Sequence, residues 1–159
     1  EDRTQIRALA EIVGRCLAGK LKSLPAVAST YADGLVHYST IFAAAPVLIV
    51  ALHKPPASVS GPLLQGVPHA ELVSGEPLSV AMAVQNMLLA AQALQLGTCV
   101  LTGPLFVQDA FAGSLGMPAG FELNCFIAVG HPDEAPAAPR RKNLENIAEF
   151  RNDAPPCKP

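Results

Sequence analysis

Apolar side chains at Ile6, Leu9, Val13, Cys16 and Leu17 recur at the three- and four-residue spacing of one helical face. The pattern predicts an amphipathic helix over residues 2–19, with Asp2 as its N-cap and Gly19 as its stop. After a Ser/Pro-containing link, residues 31–45 carry a weaker, alanine-rich helical pattern. "PVLIVALH" at residues 46–53 is a continuous apolar run rich in branched residues, the pattern of a buried strand. Residues 54–75 break every period with four prolines and three glycines, an excursion that is either a cover over a site or a surface loop.

At residues 79–96, "SVAMAVQNMLLAAQALQL", apolar positions cover nearly the whole helical circumference. With Pro77 in the first turn and Gly97 beyond the end, they predict a helix buried on all sides. A strand over 98–102 follows at once, then a short helix over 107–115 ending near Gly116. A third apolar strand over 123–129 is closed by His131 and Pro132. A proline-rich stretch leads to "RRKNLENIAEF", with a short helix over 144–150. Helices around a few nonlocal strands place the chain in the α+β class, as one domain of 159 residues.

Composition changes this picture in three ways. Residues 77–108 hold no charged side chain, yet Gln85, Asn86, Gln92 and Gln95 would be costly in lipid, so a helix buried between subunits is expected rather than a membrane span. Eleven Lys and Arg against thirteen Asp and Glu give a net charge of -2, which excludes a nucleic-acid surface and favours small-molecule or protein partners. Cys16, Cys99, Cys125 and Cys157 are widely spaced with no C-x-x-C, so no metal site is expected. Cys16, Cys99 and Cys125 read as small buried hydrophobes, a usage that fits a reducing cytoplasm.

Neither a G-x-S-x-G elbow nor a phosphate-binding glycine loop is present, and His37, His53, His69 and His131 are isolated along the chain. No catalytic acid, base or nucleophile is therefore assigned. Two features could still meet a ligand. Thr102-Gly103-Pro104 ends a strand; Pro104 has no N–H, so Gly103 is where a backbone donor could meet a flat ligand, although a plain turn is the simpler reading. Arg140, Arg141 and Lys142 are adjacent cations that could clamp a phosphate or form a solvated basic patch.

"AAAPVLIVAL", "SVAMAVQNMLLAAQALQLGTCVLTGPL" and "LGMPAGFELNCFIAVGHPDEAPAAPRRKNLENI", in that order over residues 42–149, resemble the nitroreductase family of FMN-dependent oxidoreductases. The resemblance implies a three-layer α+β fold, with a central mixed sheet flanked by helices, in an intertwined homodimer cored by the neutral helix. It implies FMN at the subunit interface, with the backbone of Leu101, Thr102 and Gly103 facing the N5 and O4 edge of the flavin. Arg141, with Arg140 or Lys142 as alternatives, would bind the FMN phosphate. The implied activity is hydride transfer from NADH or NADPH to a nitroaromatic, quinone or similar small-molecule acceptor. "EDRTQIRALAEIV" matches the helix that follows the family's Arg-x-Ser-x-Arg and Pro-Ser-x-x-Asn-x-Gln-Pro segments. The expectation is therefore a single nitroreductase-like domain over residues 1–159 without that N-terminal FMN-binding segment. The alternative is a non-catalytic module that dimerises or binds a ligand.

Overall fold

The computed structural model describes residues 2–23, 31–55, 62–63, 65–68, 75–135 and 137–149. Helix α1 (Arg3–Lys22) starts where the sequence places it: the Asp2 carboxylate accepts from the N–H groups of Thr4, at 2.8 Å, and Gln5, at 3.4 Å. It does not stop at Gly19. A mid-helix glycine costs about 1 kcal/mol relative to alanine, while Leu21 still packs on the core and Lys20 and Lys22 suit the negative end of the helix dipole. Ser23 provides the C-cap.

Helix α2 (Ala32–Thr40) tightens into a 3₁₀ turn (Ile41–Ala44) after Thr40 Oγ1 donates back to the Val36 carbonyl at 2.9 Å. The tightening swings Phe42 fully into the core. Strands β1 (Val47–His53), β2 (Gly97–Leu101) and β3 (Glu122–Gly130) form a sheet ordered β1-β3-β2. Ile127 of β3 stands between Ile49 and Val100.

The three layers are as expected, but the sheet is not mixed: both pairings among the described residues are antiparallel. β1 and β2 run the same way, and β3 lies between them, so no parallel pair forms. Successive residues of β3 face opposite layers. Phe126 joins Phe42, Phe111 and the apolar stripe of α1, while Cys125 and Ile127 meet Val84 of helix α3 (Gly75–Ala93). The ring centroids of Phe42 and Phe111 lie 5.4 and 5.6 Å from that of Phe126.

A bulge interrupts the β1–β3 ladder. Ala51 opposes Cys125 and Leu52 opposes Leu123, leaving Asn124 as the extra residue. Its Nδ2 donates to the Pro77 carbonyl at 3.2 Å and fastens the first turn of α3 to the sheet.

The end of α3 corrects a second expectation. Gln95, at φ 60°, adopts the left-handed conformation; its N–H donates to the Gln92 carbonyl at 3.0 Å, and the Leu96 N–H donates to the Ala91 carbonyl at 2.9 Å. This pair of bonds is a Schellman closure. Gly97 is therefore not the stop but the first residue of β2, where an added Cβ would stand 3.2 Å from Pro132 Cβ.

Nor is α3 buried on all sides. Only Val84 and Ala91 are buried, whereas Leu78, Met82, Leu89 and Leu94 are 55–72% exposed. One face of a three-stranded sheet can cover one side of a helix, so the rest of the apolar circumference has no cover among the described residues. No helix among the described residues is long and apolar enough to cross a membrane.

The helix expected over 107–115 is instead a 3₁₀ segment (Gly103–Ala110), broken at Val107 and followed by turns that end at Gly116, φ 59°. Of the helix expected over 144–150, the described residues form a 3₁₀ turn (Leu144–Asn146); Phe150 lies outside them. The excursion at 54–75 falls largely outside them as well.

Candidate functional site

The site begins at the end of β2. Leu101 is 4% exposed and anchors the strand in the core, Thr102 is exposed, Gly103 is half-buried and Pro104 is fully buried. The Thr102 carbonyl accepts from the Leu105 N–H at 3.0 Å and opens the 3₁₀ segment. The Gly103 N–H stands at its head, where helical geometry supplies no acceptor. Val107 is buried on the downstream side, and Lys20 Nζ reaches from α1 to the Phe106 carbonyl at 2.7 Å. The turn is thus fixed on both flanks.

Gly103 does not lie in the left-handed region; the positive-φ glycines among the described residues are Gly66, Gly116 and Gly120. Its glycine is required by packing. A methyl group there would overlap Ser39 Oγ and approach Ser39 Cβ to 2.8 Å. Ser39, on α2, is 2% exposed, and its hydroxyl has no hydrogen-bond partner among the described residues. Sequence reasoning passed over Ser39, since nothing distinguishes a buried serine in a helix from a solvent-facing one.

Arg140, Arg141 and Lys142 are exposed and line a cleft of about 300 Å³ with Asn143 and Asn146. Cations and amide side chains together suit an oxyanion such as a phosphate. Leu101, Thr102 and Gly103 do not line this cleft. Of the expected site residues Thr102 and the three cations are exposed, while Leu101 is buried, and this cleft does not bring the two groups together.

The remaining polar chemistry lies elsewhere. His53 Nε2 is 3.3 Å from Glu122 Oε2 across the β1–β3 pair, and His53 Nδ1 is buried without a partner among the described residues. That pairing is set by strand register, which no local spacing reveals. His37 packs edge-on against Tyr38, and His131 is exposed; His69 lies outside the described residues. Of the cysteines, Cys125 is buried and its thiol is pushed up by desolvation. Cys16 is half-buried. Cys99 corrects the expectation of a buried hydrophobe: it is exposed, on the short edge strand β2, beside a groove that also touches Ile41, Ala44 and Ala45. Cys157 lies outside the described residues. No cluster of His, Cys, Asp or Glu among the described residues could hold a metal ion.

Residues 4–131 match the model of the Nitroreductase family. The fold is similar to that of a BluB-like flavoprotein from Clostridium difficile 630, with a TM-score of 0.73 and 18% identity over 95% of this chain and 76% of that one. It is also similar to a nitroreductase with bound FMN from Bacteroides fragilis NCTC 9343, with a TM-score of 0.59 and 17% identity over 91% of this chain and 71% of that one. At these identities the likeness to the two structures is one of fold. The family match ends at His131, ahead of the cationic cleft.

Proposed function

Because the chain belongs to the nitroreductase family, we propose that it is an FMN-dependent oxidoreductase. In this reading it works as a homodimer and passes hydride from NADH or NADPH to a small-molecule acceptor such as a nitroaromatic or a quinone. The observation that supports the reading is the turn at Thr102 and Gly103, which follows β2 directly and is held between buried Leu101, Pro104 and Val107. FMN, when bound, would supply the two-electron chemistry. The protein's part is to bind and to orient.

The Gly103 N–H would donate to the polar edge of the ring, with Thr102 beside it. A donor fixed in advance favours negative charge developing at the atom it faces. Arg141, with Arg140 and Lys142 as neighbours and the amides of Asn143 and Asn146 alongside, would hold the phosphate. No catalytic side chain is assigned. The uncovered apolar face of α3 supports a homodimer, and the free thiols of Cys16, Cys99 and Cys125 accord with a reducing cytoplasm.

Reconstitution with FMN followed by anaerobic titration with NADH and NADPH tests the reading. The expected result is a flavin absorbance band that bleaches with one or both donors and returns when a quinone is added. A protein that FMN cannot reconstitute overturns it. A flavin-binding protein that neither donor bleaches would instead be the non-catalytic module.

A further inference from the structure

Ser39 is a polar residue in the core, 2% exposed, and its hydroxyl makes no hydrogen bond with any of the described residues. A buried hydroxyl without a partner lowers stability, so alanine would be the more stable residue for this position on grounds of solvation alone. What the oxygen does is fill the space directly beneath Gly103. A methyl on Gly103 would overlap it, and would stand 2.8 Å from Ser39 Cβ and 3.3 Å from Ser39 Cα. Glycine at 103 and serine at 39 are thus a matched pair: the backbone has descended onto α2 until the hydroxyl stops it. On either side the chain is fixed independently, by buried Leu101 upstream and by buried Pro104 and the Lys20 bond to the Phe106 carbonyl downstream. Between those anchors, Ser39 sets the height of the peptide at Gly103.

We infer that Ser39 is a positioning residue, a wedge that holds the Thr102–Gly103 peptide outward so that the Gly103 N–H is presented to a ligand rather than sunk toward α2. The inference rests on the reading of that turn as the flavin-facing edge. With the oxygen gone, a void of about one atom opens below Gly103 and the peptide settles into it, withdrawing the donor.

The test uses the full chain as wild type, Ser39→Ala and Ser39→Cys. In ¹H–¹⁵N spectra recorded without cofactor, Ser39→Ala is expected to move the Thr102 and Gly103 amide signals more than those of the rest of α2 and to slow exchange at Gly103. Ser39→Cys, which restores bulk under the glycine, should return both signals toward wild type. A Gly103 signal that stays at its wild-type position in Ser39→Ala overturns the wedge. In FMN titrations followed by fluorescence and absorbance, Ser39→Ala should raise Kd roughly 3- to 10-fold, the range of one weakened hydrogen bond, with a displaced flavin band. Ser39→Cys should bind like wild type. Wild-type affinity and spectrum in Ser39→Ala overturn the link to the flavin site and leave the flavin reading standing. If the wild-type chain takes up no FMN, the flavin reading falls and the spectra alone decide the wedge. Ser39→Ala should melt no lower than wild type; a clear drop would mean that the hydroxyl holds the fold together, and would overturn the positioning role.

Discussion

At the scale of single residues, the glycine at 103 is explained from the inside of the molecule. Its lack of a side chain answers to Ser39 beneath it and not to an unusual backbone angle. Gly103→Ala should therefore destabilise the fold by about 1–3 kcal/mol, the usual cost of forcing extra bulk into a packed site. Removing the obstructing side chain with Ser39→Gly in the same molecule should recover much of that loss. A double-mutant cycle of denaturant midpoints checks this; additive losses would show that the two positions do not share the space. The sequence made Gly103 legible as a donor because Pro104 beside it has none. Ser39 was not legible, because its burial and its missing partner arise only when α2 docks on the 3₁₀ segment.

Elements were read well where one surface decides their pattern. The apolar stripe and Asp2 cap of α1, the branched run of β1 and the apolar run of β3 all stand within a few residues of their predicted places. Errors fall at ends and in short segments, where a bond or a contact outweighs local preference. Gly19 is carried through by Leu21 and its neighbours, and α3 is closed by Gln95 instead of by Gly97. That second case yields a prediction. A non-glycine residue in the left-handed region costs roughly 1–2 kcal/mol, so Gln95→Gly should stabilise the protein by about 1 kcal/mol and raise Tm by roughly 2–4 °C. Differential scanning calorimetry reads this directly, and an unchanged or lower Tm would mean that the Gln95 side chain contributes something the closure does not require.

For the whole molecule, the α+β class follows from the order of elements and the three layers are implied by the family resemblance, while the antiparallel sheet needed the structure, because strand order is not written in any one segment. The neutral helix predicts burial on all sides, but the described residues cover one side only. Its Leu78, Met82, Leu89 and Leu94 remain open among them. Met82→Glu with Leu89→Glu should leave the circular dichroism of the fold intact while shifting a sedimenting dimer to monomer; two such charges in a desolvated interface cost several kcal/mol. A wild-type monomer at micromolar concentration would sink the proposed homodimer. The separated cationic cleft makes a different demand. If Arg141 holds the phosphate, Arg141→Ala should weaken FMN about 10- to 100-fold, the scale of a charge-assisted hydrogen bond, and leave riboflavin, which lacks the phosphate, nearly unaffected. Parallel titrations with the two flavins separate phosphate recognition from a general loss of structure.

The bulge at Asn124 reaches beyond the ladder it interrupts. Residues 54–75 follow directly on His53, which is held against Glu122, and lead to Pro77, whose carbonyl is held by Asn124. Both gateposts stand on one short stretch of β3, so the span between them is set by the sheet and not by the excursion. Doubling a loop whose ends are already fixed costs only about 0.6 kcal/mol in closure entropy. The two ends of the excursion are therefore fixed by contacts that the Gly103 turn does not share: the ends are held by Glu122 and Asn124, the turn by Ser39 and Lys20.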